Sequence, residues 1–479
     1  MMAERPTQSA VERPDGKGNQ ALKAGVSAFV GTTVEWFDFF IYGTASALVL
    51  GDLFFPEASD AVGTLAAFGT FWVGFLARPL GGLVFGHFGD KFGRKSALVL
   101  TLLMMGIATL GVGLLPTYAQ IGVAAPILLV ALRMIQGVAM GGEWGGAVLI
   151  ATEHAPKNKK VLYGAFAQQG APVGNLLATL AFLAVAGLPD QALQSWGWRL
   201  PFLASALLVL IGLFIRLHLD ESPEMRKVLE SKSTVRVPML EILRNHRKIV
   251  ALGVGATIIG VTLSYVKTTF ALSWATTDLS FTRSEFLVII AVALIVQIIV
   301  QPFGAVLAER INIRKAVVWM IVPEIVLLPL MFVFISTGSM TLSLLGMALA
   351  TIPTSMYYAA LAGILAQVFP VEIRYSGLSM AYQLATTLFA GTAPMVGQFL
   401  LNRTGSIWAV VAMGMVYMVI SLASVIALVR HDAWTGRDSS GRATPPGGSD
   451  DRAPEHPAPS APSEHADLPG RATMAAGTR

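Results

Sequence analysis

The sequence predicts an all-α membrane protein whose chain crosses the bilayer twelve times, in two halves of six helices. Of its 479 residues, 54% are hydrophobic and only 13% are charged, whereas soluble proteins carry about 25% charged residues. The apolar runs reach about 20 residues, the length that lets a helix cross the hydrocarbon core. Backbone groups in lipid must be satisfied within the protein, and runs of this length favour helices over barrel strands.

Twelve apolar segments follow one another along the chain. They cover residues 25–50, 62–85, 97–115, 121–149, 161–187, 198–218, 249–276, 285–308, 316–336, 340–368, 375–401 and 406–430. Residues 1–22 are polar and lack the apolar core of a signal peptide, so we expect the segments themselves to direct insertion. The predicted organisation is a cytoplasmic N-terminal segment 1–22, a six-helix bundle 23–218, a cytoplasmic central loop 219–248, a second bundle 249–430 and a disordered cytoplasmic tail 431–479.

The basic residues predict the orientation, because cytoplasmic loops carry an excess of lysine and arginine. Connections on one side hold Lys157, Lys159, Lys160, Arg226, Lys227, Lys232, Arg236, Arg244, Arg247, Lys248, Arg310, Arg314 and Lys315. Connections on the other side hold Arg199, Arg283 and Arg403. We therefore expect both termini in the cytoplasm. The net charge of +5 reflects this orientation, and we expect no nucleic-acid partner.

Composition also argues against several function classes. The chain has no cysteine, which excludes disulfides and thiolate metal sites. Its seven histidines show no metal-ligand spacing, and no phosphate-binding P-loop pattern occurs. We expect neither an enzyme nor a bound metal or cofactor, so the energy for any transport must come from an ion gradient, here taken to be protons.

The stretch GHFGDKFGRKSAL, Gly86 to Leu98, joins the second and third segments and is the most informative motif. Its charged residues Asp90, Lys91, Arg94 and Lys95 are predicted to occupy a very short cytoplasmic loop. Gly86 allows the helices to approach closely, and Gly93 can adopt the positive φ of a sharp reversal. A second, degenerate copy is GAVLAERINIRKA, Gly304 to Ala316, in which Glu309 and Arg310 correspond to Asp90 and Lys91.

The first copy matches the G-x-x-x-D-[RK]-x-G-R-[RK] signature at every defined position, and the chain thereby resembles the major facilitator superfamily. That resemblance implies two six-helix halves related by a pseudo-two-fold axis, and transport by alternating access. Four further stretches, GTTVEWFDFFIYG, ARPLGGLVFGHFGD, RMIQGVAMGGEWGG and SWGWRLPF, resemble the metabolite:H+ symporter family. Known members of that family carry 2-oxoglutarate, citrate, shikimate, proline and betaine. The resemblance covers about residues 22–430.

Charged side chains within the first and fourth segments are candidates for proton coupling, because an ionisable group at the bilayer centre costs about 2.5–3.5 kcal/mol. Glu35, Asp38 and Tyr42 share one helix face by their spacing, and that face should line an aqueous cavity. In related sugar symporters an aspartate of the first helix couples to an arginine of the fourth, and Asp38 and Arg133 match those positions. We expect Asp38 to accept the proton, with Glu35 second. The alternative for each is a permanent structural ion pair.

Other polar residues could contribute to coupling or bind substrate. Glu143 could titrate or could simply stabilise a helix contact. Lys267 would favour a carboxylate substrate if it faces the cavity, or it could extend to the outer surface. Glu324 is expected to be an anchor at the membrane interface. The predicted substrate-binding residues are Tyr42, Arg78, Arg133, Gln168, Gln169, Lys267 and Tyr357. Further candidates for the cavity wall are Tyr265, Trp274 and Tyr358. For the glutamines and the aromatic residues, ordinary helix packing is the alternative.

The resemblance implies a charged gate at the cytoplasmic ends of the helices. Its predicted members are Gly86, Asp90, Lys91, Gly93, Arg94, Lys95, Glu153, Glu309, Arg310, Glu372 and Arg374. The function predicted first is proton-coupled uptake of a small organic acid or zwitterion by a monomer in the cell membrane. The alternatives are an exporter or exchanger, faintly suggested by QGAPVG at Gln169 to Gly174, and a non-transporting nutrient sensor.

Overall fold

The computed structural model describes residues 14–92, 94–153, 160–218, 246–311, 313–368 and 374–430. These ranges contain helices and no strand, and twelve of the helices are long. Eleven are long and apolar enough to cross a membrane. The remaining long helix is the first, which carries Glu35 and Asp38. The predicted all-α membrane fold is confirmed. The predicted central loop and C-terminal tail lie almost entirely outside the described residues.

Each half contributes six of these helices. The first six are α1 (Pro14–Leu48), α2 (Asp60–Leu76 continued by Arg78–Phe92), α3 (Arg94–Leu114), α4 (Ala124–Glu153), α5 (Lys160–Ala186) and α6 (Arg199–Leu217). The second six are α7 (Arg247–Tyr265, a π-helical turn Val266–Phe270, then Ala271–Thr277), α8 (Arg283–Arg310), α9 (Ile313–Ser336), α10 (Met340–Val368), α11 (Arg374–Ala385, a π-helical turn Thr386–Ala390, then Ala393–Thr404) and α12 (Ile407–Arg430). Short helical pieces occupy the connections: Leu50–Phe54, Tyr118–Ile121, Asp190–Ala192 and the π-helical Leu193–Gly197.

Helix boundaries differ from the predictions at two places. α1 begins at Pro14, within the predicted polar segment, and proline suits the first position of a helix because it lacks an amide hydrogen to bond. The very short loop predicted to hold Asp90, Lys91, Arg94 and Lys95 is narrower still, since α2 continues to Phe92 and α3 begins at Arg94. Helical structure at these positions keeps backbone groups paired close to the membrane interface. Asp90 and Lys91 therefore belong to α2, and Gly93 lies outside the described residues.

The helix packing repeats between the halves. In the first half α1 packs on α5, α2 on α4 and α3 on α6, and in the second half α7 packs on α11, α8 on α10 and α9 on α12. The halves meet where α5 packs on α8, α2 on α11 and α1 on α7. A pseudo-two-fold axis that exchanges the halves converts the contact of α5 with α8 into that of α11 with α2, and it converts the contact of α1 with α7 into itself. Asn175 and Tyr265 of two such helices thus reach a shared interior.

Glycines allow α2 and α4 to touch backbone to backbone. A Cβ added to Gly81 would lie 1.9 Å from the carbonyl oxygen of Val138, and one added to Gly141 would lie 1.9 Å from the carbonyl oxygen of Arg78. Small residues are the usual means of such close approach in membranes. The contact fixes the positions of the arginines that these two helices carry.

We expect Gly81→Ala to destabilise the protein by about 1–3 kcal/mol, because the added methyl group must push two backbones apart. The adjacent Gly82→Ala is a matched control, since its Cβ would lie at 3.4 Å from the nearest atom, the carbonyl oxygen of Gly141. Thermal unfolding of both variants in detergent measures the difference. Equal unfolding temperatures for the two variants would contradict the close packing of α2 on α4.

Candidate coupling and substrate site

Eight charged side chains are buried inside the described part of the bundle. The acids are Glu35, Asp38, Glu143 and Glu324, and the bases are Arg78, Arg133, Arg216 and Lys267. Three of the acids and three of the bases lie in the first half, and one of each lies in the second. Because isolated charges are expensive in this environment, the way they are partnered indicates what each can do.

Asp38 of α1 is fully buried and is held by two hydroxyl groups. Its Oδ1 accepts a hydrogen bond from Ser205 of α6 at 2.5 Å, and its Oδ2 accepts one from Thr109 of α3 at 2.8 Å. Both donors are neutral. No ion pair to Asp38 occurs among the described residues, so its direct polar partners there are two neutral hydroxyl groups.

Arg133 of α4 is joined to Asp38 through intervening side chains. Its Nη1 donates to Oε1 of Gln136 at 2.7 Å, and Nε2 of Gln136 donates to Oγ1 of Thr109 at 2.7 Å. Its Nη2 donates to the carbonyl oxygen of Phe71 in α2 at 3.2 Å. The guanidinium also lies 3.9 Å from the ring centre of Tyr42. Asp38 and Arg133 are thus connected through Thr109 and Gln136 without direct contact, and their predicted coupling stays a prediction.

Glu35 and Arg78 are charged neighbours that form no direct ion pair among the described residues. The buried Oε2 of Glu35 accepts no hydrogen bond from the described residues, and Arg78 is one of the charged groups close to it. The Arg78 guanidinium lies 4.0 Å from the ring centre of Phe75 and 4.5 Å from that of Phe39. Such cation–π contacts stabilise a desolvated cation without neutralising it. Arg78 therefore keeps its positive charge available to an anion.

Glu143 of α4 has a direct partner. Its Oε1 forms an ion pair with Nη2 of Arg216 in α6, and Nη1 of Arg216 donates to the carbonyl oxygen of Leu98 at 2.6 Å. Gly31 of α1 makes room for the guanidinium, because a Cβ there would lie 2.1 Å from Nη2. Arg216 stands in the last turn of α6, and no motif marked it in the sequence.

Two adjoining spaces occupy the interior, one between the halves and one within the second half. The first, of about 350 Å³, is lined by Trp36, Phe40, Ala171, Pro172, Asn175, Gly260, Val261, Ser264, Tyr265, Gln297 and Tyr358. The second, of about 430 Å³, lies among α7, α8 and α10 and is lined by Gly260, Ser264, Lys267, Thr268, Ile290, Ala293, Leu294, Gln297, Met347, Thr351, Thr354, Ser355 and Tyr358. The two linings share Gly260, Ser264, Gln297 and Tyr358, so the spaces adjoin, and both volumes include space that is open to solvent.

Of the predicted substrate-binding residues, only Lys267 lines either space. Gln169 instead donates to the carbonyl oxygen of Ile298 at 2.6 Å, across the contact of α5 and α8. Tyr357 donates to the carbonyl oxygen of Ala256 at 2.5 Å, within the second half. These two side chains have structural partners, which was the alternative left open for both.

The remaining predicted substrate-binding residues lie beside these spaces. Gln168 is buried, and its backbone carbonyl accepts a hydrogen bond from Gln301 at 3.2 Å. Tyr42, Arg78 and Arg133 are buried among the aromatic rings of α1 and α2. Their roles toward a substrate therefore depend on helix movement, and they stay predictions.

Sequence reasoning missed several residues that line the first space. Trp36, Phe40, Asn175 and Gln297 carry no motif that distinguishes them from packing residues, whereas Tyr265 had been predicted to lie on the cavity wall. The buried Nδ2 of Asn175 has no hydrogen-bond partner within the described ranges, whereas the hydroxyl of Tyr265 interacts with Arg78. An unpartnered buried polar atom is costly, so the amide of Asn175 points to a polar occupant of this space.

Lys267 is paired inside the second half. Its Nζ lies 2.7 Å from Oε1 of Glu324 in α9, and it donates to Oγ1 of Thr354 at 2.9 Å and to the carbonyl oxygen of Ala350. Glu324 is fully buried, so its predicted role as an interfacial anchor is wrong. The alternative in which Lys267 extends to the outer surface is also excluded, because the side chain is buried and its ammonium group points to α9 and α10. A hydrophobic segment does not reveal which of its faces is buried against a neighbour.

The predicted gate is described only in part. Lys95 donates to the carbonyl oxygen of Leu217 at 2.7 Å, and Arg310 is exposed at the end of α8. The placement of Gly93 and Glu372, and the side chains or surroundings of Gly86, Asp90, Lys91, Arg94, Glu153, Glu309 and Arg374, lie outside the described residues. On the opposite side of the bundle, Arg283 of α8 and Asp190 form an ion pair of 2.6 Å that links the two halves.

We expect Arg216→Met to destabilise the protein by about 3–5 kcal/mol, since it leaves Glu143 buried without a partner. The double variant Arg216→Met with Glu143→Gln removes both charges and should recover most of the loss. Thermal unfolding of the two single variants and the double variant forms the required cycle. Additive losses in the double variant would contradict a direct ion pair.

Comparison with known proteins agrees with this architecture. The family model described as "Sugar (and other) transporter" matches residues 24–233, and the model described as "Major Facilitator Superfamily" matches residues 252–466. Among solved structures, a partially occluded, inward-open conformation of a xylose transporter from E. coli aligns with a TM-score of 0.68 at 16% identity, over 85% of this chain and 97% of that chain. At this identity the likeness shows the fold.

Curated relatives are similar over most of their lengths. An inner membrane metabolite transport protein of Escherichia coli (strain K12) is 39% identical, over 81% of this chain and 89% of the relative. The shikimate transporter of the same organism is 38% identical, over 87% and 95%. A glycine betaine/proline/ectoine/pipecolic acid transporter of Dickeya dadantii (strain 3937) is 34% identical, over 85% and 82%. The chain belongs to the major facilitator superfamily, among its transporters of small metabolites.

Proposed function

We propose that this protein is a proton-coupled symporter that imports a small organic acid or zwitterion by alternating access. The observation that carries the proposal is the setting of Asp38, a buried carboxylate with two neutral donors and a relay of two side chains to Arg133. A carboxylate held without a direct cation can be neutralised by a proton at a lower cost than one in a tight ion pair.

Protonation of Asp38 would change the relay as follows. The charged carboxylate accepts hydrogen bonds from both Ser205 and Thr109, whereas the neutral acid must donate one of its own. A hydroxyl that loses its acceptor must turn, and Thr109 is the one that also accepts from Gln136. Because Gln136 in turn holds Arg133, the proton alters the contact of α4 with α2. A switch in helix contacts is what alternating access requires.

The proposed substrate carries a carboxylate. The shikimate and the proline and betaine transporters to which the chain is similar name substrates of this kind. In this chain Arg78 lies in the interior without a carboxylate partner at ion-pair distance among the described residues, and Lys267 lines the second space. Cationic side chains at these two places favour an acid over a neutral sugar.

We further propose the location, oligomeric state, orientation and energy source of the protein. The protein acts in the cell's inner membrane as a monomer with both termini in the cytoplasm. The proton gradient supplies the energy, without a bound cofactor and without catalysis. An exporter or exchanger of the same substrates is the second transport function, and a non-transporting sensor is the alternative from another class.

A counterflow screen in proteoliposomes tests the function. Vesicles loaded with shikimate, 2-oxoglutarate, proline or glycine betaine are diluted into the same labelled compound, and exchange of label identifies the substrate. Empty vesicles then receive that labelled substrate with an inward proton gradient, an outward one, or none. Accumulation only with the inward gradient supports import by symport. Accumulation only with the outward gradient supports exchange for protons, and binding without movement supports a sensor.

We expect Asp38→Asn to abolish accumulation driven by the proton gradient while counterflow of the same substrate continues, because the amide keeps the hydrogen-bonding shape and cannot take up a proton. Uptake of labelled substrate with and without a gradient measures both activities. Glu57→Gln is the control, since Glu57 is exposed and its Oε1 accepts only from Tyr118 at 3.0 Å among the described residues. Accumulation by Asp38→Asn at the level of the control would remove Asp38 from proton coupling.

A further inference from the structure

A second buried ion pair, in the half that does not contain Asp38, has the features of a substrate-responsive switch. Lys267 is 4% exposed and Glu324 is 0% exposed, so their charges face each other away from water. Lys267 stands in the π-helical turn of α7, and π-turns occur frequently at functional sites. Purely structural stability is a weak reason for such a pair, because apolar residues of similar volume usually stabilise a bundle as well or better.

The two members of the pair stand in different positions relative to the interior. Lys267 lines the second space, whereas Glu324 does not. The ammonium group therefore lies between a carboxylate on its far side and a space that could admit another carboxylate. It donates hydrogen bonds to Thr354 and to the carbonyl oxygen of Ala350 and lies 2.7 Å from Oε1 of Glu324, so an entering anion must replace one of these partners.

The rest of the second space suits the polar remainder of a small acid. Hydroxyl groups of Ser264, Thr268, Thr351 and Ser355 line it, along with the amide of Gln297. The first space adjoins it and adds the unpartnered Nδ2 of Asn175. A ligand anchored at Lys267 would find hydrogen-bonding groups along its whole length.

No third charge intervenes between the two partners. Among the described residues the one ion pair of Lys267 is with Glu324, and the one ion pair of Glu324 is with Lys267. α1, α8, α10, α11 and α12 pack against α7 or α9, and from them a hydroxyl, that of Thr354, reaches the pair. If Lys267 exchanges Glu324 for another anion, the negative charge left on Glu324 must therefore be neutralised at Glu324 itself.

We propose that the substrate carboxylate replaces Glu324 as the partner of Lys267, and that Glu324 takes up a proton in the same event. The exchange is balanced: one anion and one proton enter, the ammonium stays charged, and the Glu324 carboxylate becomes a neutral acid. The inference rests on the proposed transport of an organic acid, and it adds a second proton-linked group and the anchor for the substrate.

Binding measurements on the purified full chain in lipid nanodiscs test this exchange. Labelled shikimate, 2-oxoglutarate, proline and glycine betaine serve as probes, in acidic and alkaline buffer. Wild type should bind its acid more tightly in acidic buffer, because a proton on Glu324 frees Lys267. Glu324→Gln should bind it in alkaline buffer about tenfold more tightly than wild type, and with less dependence on pH, since the competing carboxylate is gone.

Lys267→Met alone would leave the Glu324 carboxylate buried without a partner, and that variant could fail to fold. The double variant Lys267→Met with Glu324→Gln is therefore used in its place. It should fold and should bind the acid at least about tenfold more weakly than Glu324→Gln at every pH. Glu285→Gln, an exposed carboxylate at the start of α8, is the control and should match wild type.

The outcomes separate this exchange from the proposed function. A double variant that binds the acid as tightly as wild type, with unchanged pH dependence, would show a merely structural pair and would overturn the exchange alone. The same holds if Glu324→Gln binds no more tightly than wild type in alkaline buffer. A wild-type protein that binds none of the four probes would overturn the proposed substrate class, and the exchange would fall with it.

Discussion

The cost of placing charge inside a bundle that lies in lipid is the constraint on which the rest of this structure depends. Four acids and four bases are buried in the described part of the chain, and each must be stabilised by a partner, a dipole or an aromatic ring. Only Glu143 with Arg216 and Lys267 with Glu324 are direct ion pairs. Asp38 relies on hydroxyl groups, and Arg78 and Arg133 rely on aromatic faces.

These two modes of stabilisation suit different tasks. A tight ion pair holds helices together, as Glu143 and Arg216 join α4 to α6. A charge held by neutral groups can be discharged without breaking a pair, which suits a group that must gain and lose a proton in each cycle. The relay from Asp38 through Thr109 and Gln136 then transmits the change to Arg133 and, through the Phe71 carbonyl, to α2.

Most of the fold could be predicted from the sequence, because hydrophobic length and the distribution of lysine and arginine are imposed by the membrane itself. The placement of Asp38 and Arg133 in one buried cluster followed from a family resemblance. The partner of Glu143 could not be predicted, because Arg216 stands at the end of an otherwise ordinary apolar helix. The partner of Lys267 was missed for a related reason: the sequence of α9 does not show which side of the helix Glu324 occupies. Contacts between distant helices depend on packing angles, which local patterns leave open.

The central claim is that Asp38 is the carboxylate that becomes protonated in the first half when substrate binds. Infrared difference spectroscopy on the reconstituted protein detects this event directly, as a band of a protonated carboxyl group that appears on addition of substrate. We predict that part of this signal disappears in Asp38→Asn and persists in Glu143→Gln, whose carboxylate is already committed to Arg216. A substrate-induced spectrum that is identical in wild type and Asp38→Asn would contradict the claim.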